Sequence, residues 1–140
     1  MNITVLGIGL MGLPMARRLC EAGHSVTAWN RSREKAERLT PHGARVCDTP
    51  AQACAQADMV VSLLENGQIV ENVLFQQGAA SAMKAGTLVI DMASIKPREA
   101  RDHAARLGFD LRQRPRKLGA ARIRHHAERA ELVAAFLHGQ

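Results

Sequence analysis

The sequence predicts a doubly wound parallel α/β sheet, and three observations carry that prediction. Short apolar runs of strand length alternate with helical segments through most of the 140 residues, the order that puts helices on both faces of a parallel sheet. Two of these runs, Met59-Val60-Val61-Ser62-Leu63-Leu64 and Thr87-Leu88-Val89-Ile90, are nearly continuous rather than alternating, as strands covered on both faces must be. Finally, Gly7, Gly9 and Gly12 form G-x-G-x-x-G directly between an apolar strand, Ile3-Thr4-Val5-Leu6, and a helical run. In that context the spacing reads as a βαβ turn that cradles a dinucleotide pyrophosphate.

Each element has a local reason. The first glycine permits the tight turn, the second lets backbone approach phosphate, and the third lets the helix sit close to the strand. Unpaired N–H groups and the positive end of the helix dipole then favour an anion. The helix carries Met15, Leu19 and Ala22 at apolar spacing and stops at Gly23. Pro14 fits its first turn, where no intrahelical N–H partner is lost. Ser25–Trp29 makes the second strand. Asn30 stands at its carboxyl end, where an NAD-preferring site usually has an acid for the adenosine 2′-hydroxyl. The run Asn30-Arg31-Ser32-Arg33 has no acid. A carboxylate repels a 2′-phosphate, whereas Arg31 can bind it by charge-assisted hydrogen bonds. The expected cofactor is therefore NADP(H) in preference to NAD(H). The competing local reading makes Asn30 a cap for a helix over Arg33–Leu39 and Arg31 a solvated charge.

Pro41 and Gly43 end that helix before a short third strand at Arg45-Val46. Thr49 caps, and Pro50 opens, a helix running to about Ala57. After the fourth strand comes the loop Glu65-Asn66-Gly67, then a helix bearing Ile69, Val70, Val73 and Leu74. The fifth strand ends at Asp91-Met92-Ala93-Ser94, and Pro97 opens a helix that stops near Leu107-Gly108. Ligands of such sheets lie beyond the carboxyl ends of the strands. The loops Gly7–Gly12, Asn30–Arg33, Leu64–Gly67 and Asp91–Ile95 are thus expected to converge on one edge.

Composition bounds the function class. Apolar residues at 46% and charged residues at 23% describe an ordinary globular domain. Only Met1-Asn2 precede the first strand and no apolar run reaches membrane-spanning length, so the expectation is a cytoplasmic chain without membrane contact. Cys20, Cys47 and Cys54 lack C-x-x-C spacing and read as reduced thiols. No metal set is expected, His125-His126 and His138 included. The net charge of +6 is unevenly spread: residues 1–111 hold 12 Lys/Arg against 11 Asp/Glu, and residues 112–140 hold 7 against 2. We therefore divide the chain into a cofactor-binding domain, 1–111, and a basic tail, 112–140. The tail is either a solvated, weakly ordered extension or a helix with Ile123, Ala127, Ala130, Ala134 and Leu137 near one face. With Phe136 its lone aromatic and no recognised motif, nucleic acid is not its expected partner.

The residues also carry a family likeness. Gly7-Ile8-Gly9-Leu10-Met11-Gly12-Leu13-Pro14-Met15-Ala16 resembles the G-x-G-x-M-G-x-P-M-A signature of the β-hydroxyacid dehydrogenases, which include 3-hydroxyisobutyrate dehydrogenases and 2-hydroxy-3-oxopropionate reductases. Asn30-Arg31-Ser32 is similar to the Asn-Arg-Ser/Thr of NADP-preferring members and of 6-phosphogluconate dehydrogenases. Asp91 to Pro97 is similar to the family's D-x-S-[ST]-x-x-P stretch. The resemblance implies a Rossmann-type domain in which Gly7 to Met15 bind the dinucleotide. It places Asn30, Arg31 and Ser32 at the 2′-phosphate, Leu63 and Leu64 along the nicotinamide ribose, and Ser94 at the nicotinamide end. It implies a small semialdehyde or 3-hydroxy acid as substrate. Two positions depart from the pattern: Glu65-Asn66 replaces a Pro-Asp or Ser-Asn type of pair, and Ala93 stands where a substrate-binding serine is usual.

The resemblance covers Met1 to about Asp110. Beyond it the family continues into a D-A-P-V-S-G-G loop, an interdomain helix with a G-x-x-x-K-x-x-N motif and an all-helical second domain. None of these has a counterpart in residues 111–140, so no catalytic residue is assigned. Arg112 to Lys117 is compatible with the codons CGT CAA CGC CCC CGT AAG, which one base later read Val-Asn-Ala-Pro-Val, similar to that loop. The expectation is a truncated or frameshifted chain that binds NADP(H), has little or no turnover alone, and self-associates through an exposed interdomain face. Two other readings stand beside it: a domain related to 6-phosphogluconate dehydrogenase, and a non-catalytic NADP-binding module with a basic partner-binding tail.

Overall fold

The computed structural model describes residues 1–108. Its strands are β1 (Asn2–Leu6), β2 (Ser25–Trp29), β3 (Arg45–Val46), β4 (Met59–Ser62) and β5 (Leu88–Asp91). They form one sheet in the order β3-β2-β1-β4-β5, parallel at every pairing. The helices are α1 (Gly12–Glu21), α2 (Arg33–Glu37), α3 (Pro50–Cys54), α4 (Gly67–Glu71), α5 (Ala79–Ala82) and α6 (Pro97–Arg106). This is the Rossmann-type arrangement expected, with β1 central and the chain reversing direction across the sheet between β3 and β4. The readings for residues 112–140, tail helix and partner included, lie outside the described residues.

Alternation along each strand sends neighbours to opposite faces. Ile3, Val5, Val26 and Ala28 meet Ala16 and Leu19 of α1, together with Ala36 and Leu39. Leu6, Trp29, Val60 and Val89 meet Ala53, Cys54, Val70, Leu74 and Ala79 on the other face. Polar groups caught in this core are matched. Thr4 Oγ1 donates to Ala53 O at 2.6 Å and Thr87 Oγ1 to Ala57 O at 3.0 Å, which avoids the penalty of a buried, unpaired hydroxyl.

The helices differ from the sequence reading in instructive ways. In α1 the buried stripe is Gly12, Ala16 and Leu19, with Met15 half-buried and Ala22 exposed; Gly12 lies against the carbonyl of Gly7, and Ala16 and Leu19 pack on the sheet. Helix α2 ends at Glu37, and Leu39 is buried in the turn that follows, before Gly43 at φ +89°. The run through Ile69 and Leu74 is not one regular helix: α4 passes into a π-helical turn over Asn72–Gln76. There Gln77 N–H reaches Asn72 O at 2.9 Å, and Asn72 also bonds the Gln76 and Gln77 side chains. The short α5, absent from the sequence reading, follows Gly78 at φ +74°. Thr49 does cap α3, accepting from Gln52 N–H at 3.2 Å.

Cys20, Cys47 and Cys54 are free thiols. Burial, and then the neighbouring Cys47, push the Cys54 thiol up to about 12, which disfavours the nucleophilic thiolate at neutral pH. Among the described residues, no group of three or more His, Cys, Asp or Glu side chains is placed to hold a metal, and no helix is long and apolar enough to cross a membrane.

Candidate functional site

The loops after β1, β2, β4 and β5 meet at the carboxyl edge of the sheet, and their contacts explain the glycine spacing. Gly7 has φ +100°, and a Cβ there would lie 2.5 Å from Leu63 O and 3.3 Å from Leu64 Cδ2. A Cβ on Gly12 would overlap Gly7 O and lie 3.0 Å from its carbonyl carbon. Both positions are closed by protein. Gly9 differs: nothing lies within 4 Å of where its Cβ would stand. The space over Gly9 faces outward, beside a Leu10 that is 99% exposed. Protein packing therefore does not require glycine at position 9, and the loop leaves room there for a close-lying group.

The backbone donors agree. Gly7 N–H is taken by Trp29 O, Leu13 N–H by Gly9 O and Met15 N–H by Met11 O. Ile8 is buried and its N–H donates to Asn30 Oδ1 at 2.9 Å. The N–H groups of Gly9, Leu10 and Met11 have no protein acceptor among the described residues. They crown the start of a ten-residue helix, α1, where donors and dipole together favour an anion. Pro14 is exposed in the first turn, and Leu13 is half-buried against the sheet.

Around the β2 end, the structure gives Asn30, Arg31, Ser32 and Arg33 different surroundings. Asn30 does not cap α2. Its Oδ1 accepts from Ile8 and its Nδ2 donates to Ser32 O at 3.0 Å, so it ties the glycine loop to the Arg31-Ser32 turn. Ser32 occupies the N-cap position of α2 with an extended backbone and makes no side-chain cap bond. Arg33 is committed twice: Nε donates to Glu37 at 2.7 Å and Nη1 to Asp48. Those carboxylates hold its guanidinium charge, and its pKa lies above the ordinary arginine value, Glu37 contributing most. Arg31 is exposed and forms no salt bridge among the described residues. Of the two guanidinium groups, Arg31 is the one available to an incoming anion.

On the opposite side of the glycine loop, Leu63 and Leu64 are half-buried under Gly7. Asn66 caps α4, its Oδ1 accepting from Ile69 N–H at 3.0 Å, and its backbone bridges that of Ser94. Ser94 is exposed and is not the cap of α6. That position is Lys96, whose N–H donates to Glu99 Oε2 at 3.0 Å. Ala93 is buried, with its N–H on Asp91 Oδ1 at 3.0 Å. Sequence reasoning missed Glu99; the usable signal was a glutamate three residues after a helix start, obscured because lysine is an unusual cap.

A glycine loop opening over a helix start, beside a parallel sheet that reverses its order, defines a dinucleotide-binding domain. The chain belongs to the family described as the NAD binding domain of 6-phosphogluconate dehydrogenase, whose model matches residues 2–110. Within it, the domain is of the kind found in 3-hydroxyisobutyrate dehydrogenase-like hydroxyacid dehydrogenases. It is 38% identical over 96 residues to the 3-sulfolactaldehyde reductase of Escherichia coli, covering 68% of this chain and 32% of that protein. It superposes on Mycobacterium tuberculosis 3-hydroxyisobutyrate dehydrogenase, solved with L-serine, with a TM-score of 0.72 and 32% identity, covering 76% of this chain and 36% of the other. The imine reductase of Myxococcus stipitatus in complex with NADP+ matches with a TM-score of 0.71 and 28% identity, over 79% of this chain and 39% of the other. A variant of it is described with NAD+. The chain spans about a third of the length of these relatives.

Proposed function

We propose that this chain is the NADP(H)-binding part of an oxidoreductase acting between a small semialdehyde and the corresponding hydroxy acid. The observation that carries the reading is the pairing of an open Gly9 cradle with an uncommitted Arg31 at the end of β2. In this reading Gly7 to Met15 form the pyrophosphate turn, with the N–H groups of Gly9, Leu10 and Met11 as donors. Arg31 and the Ser32 hydroxyl bind the 2′-phosphate, and Asn30 holds both loops in place. Leu63, Leu64 and Ser94 border the nicotinamide half. The cofactor, when bound, supplies a hydride at nicotinamide C4; these residues orient it and keep water from one face.

Names of the relatives support a small carbonyl or hydroxy acid as the partner molecule, 3-sulfolactaldehyde reductase and 3-hydroxyisobutyrate dehydrogenase among them. The proton needed for carbonyl reduction has no assigned donor in residues 1–108, so the chain alone binds cofactor without sustained turnover. In this reading the chain self-associates through the β5 edge of the sheet, where Leu88 and Ile90 of β5 and the following Met92 are only half-buried.

Fluorescence titration with NADPH and NADH tests the cofactor reading. Losing one charge-assisted contact of about 1.5–3 kcal/mol predicts that Arg31→Ala weakens NADPH roughly 10- to 150-fold. NADH binding should be unchanged. Equal affinity of the parent chain for the two cofactors defeats the 2′-phosphate assignment.

A further inference from the structure

Helices α4 and α6 run from neighbouring loops of the candidate site, and they are joined along their length. At the far end Arg106 Nη1 bonds Glu71 Oε1 at 2.9 Å, and its guanidinium lies 3.7 Å from the Phe75 ring centroid. Phe75, in the π-helical turn that continues α4, meets the buried His103 ring of α6 at a centroid distance of 5.7 Å. At the near end, closest to the site, Glu99 is the joint. Its Oε2 accepts the Lys96 N–H that starts α6, while the same carboxylate lies where a side chain of Gly67, the first residue of α4, would stand. A Cβ on Gly67 would stand 2.8 Å from Glu99 Cδ and closer still to Oε2. Gly67 does not have positive φ. The Glu99 carboxylate occupies the space a side chain would take there, so any residue but glycine at position 67 has to turn that carboxylate aside.

We infer that Glu99 is a positioning residue for the nicotinamide half of the cofactor site, an inference that rests on the dinucleotide reading above. The sheet order places the β2 end, with Arg31, on one side of the glycine loop and the β4 and β5 ends on the other. A dinucleotide laid across the loop with its adenosine end at Arg31 therefore brings its second half to the loops after β4 and β5. Those loops are stitched by the Asn66–Ser94 backbone bridge. The Glu99 carboxylate fixes the first turn of each following helix, and so sets the spacing at which Leu64, Asn66 and Ser94 face that half. It acts through these residues and touches no ligand itself.

The test compares NADPH with 2′-phospho-ADP-ribose, which lacks the nicotinamide ring, on the full chain. Glu99→Ala is expected to weaken NADPH about three- to tenfold, the scale of one lost hydrogen bond, with less than about a twofold change for the truncated ligand. Glu99→Gln keeps an acceptor and should restore most of the affinity. Gly67→Ala, which pushes the carboxylate aside, should reproduce the Glu99→Ala pattern. Adding it to Glu99→Ala should do little more, since the group it displaces is gone. Thermal melts identify any variant that has lost its fold; if Glu99→Ala is one, Gly67→Ala against the parent and Glu99→Gln carries the comparison. Equal weakening of both ligands, or additive effects of the two substitutions, overturns the inference. If the parent binds neither ligand, the dinucleotide reading itself falls, and the inference with it.

Discussion

Replacing each of the three loop glycines by alanine separates what the protein needs from what the ligand needs. At Gly7 the backbone is left-handed, which costs an L-residue about 1–2 kcal/mol, and the new methyl would press on Leu63 O at 2.5 Å. Relief requires moving the carbonyl that joins β4 to its loop, so a total of about 2–4 kcal/mol is expected. For a domain with 108 described residues that is a fall in Tm of roughly 10–25 °C. Gly12→Ala meets backbone too, at Gly7 O and C, and should cost a similar amount. A Cβ on Gly9 would meet nothing within 4 Å, and the residue is not in the left-handed region. Alanine there should leave stability within about 0.5 kcal/mol of the parent, or raise it slightly by restricting the unfolded chain. Yet its methyl stands where phosphate is to lie, so NADPH affinity should drop by at least about tenfold, equivalent to 1.4 kcal/mol. Trp29 is the single tryptophan, buried, with Nε1 on Asp48 O at 3.2 Å, and its fluorescence reports unfolding while NADPH fluorescence reports binding. A Gly9→Ala chain that melts as early as Gly7→Ala, or binds NADPH as the parent does, refutes the assignment of the open cradle to the cofactor.

Two further outcomes follow from the same geometry. Asn30→Asp keeps an acceptor for Ile8 N–H, loses the donation to Ser32 O and adds a negative charge where the 2′-phosphate is proposed. The NADPH dissociation constant should rise at least about tenfold relative to that of NADH, and an unchanged ratio in paired titrations counts against the phosphate position. Cys54 has its thiol raised from 9.0 to about 12, so between those pH values the native chain holds a proton that the unfolded chain has released. Stability should fall across that window, by up to about 4 kcal/mol. Urea midpoints measured from pH 8 to 10.5 should decline less steeply in Cys54→Ala, and identical slopes in the two chains would remove Cys54 from the account.

Much of this protein was legible before any coordinates. Five strands, their parallel pairing and the convergence of four loops follow from uninterrupted apolar runs and from Gly, Pro and Thr punctuation, because each is a local property of the chain. Periodicity also located the helix after Asn66, but not its π-helical turn, which depends on Asn72 bonding back to Gln76 and Gln77. Nor did it separate Met15 from Ala16 on α1, where Ala16 is the residue that packs into the core and Met15 stays half-buried.

The sequence by itself determined the class of domain, the position of the glycine loop and the missing acid after β2, since all three are matters of residue type at fixed spacing. Only the tertiary structure decided which polar groups are spent and which remain. Arg33 and Arg31 are alike in sequence, but Glu37 and Asp48 neutralise the first and leave the second exposed. The competing reading of Asn30 as a helix cap fails because Ile8, 22 residues away in the chain, donates to its side-chain oxygen. Glu99 and Gly67 are unremarkable apart, and folding sets one against the other. Such pairings depend on distance in space, which spacing along the chain does not encode.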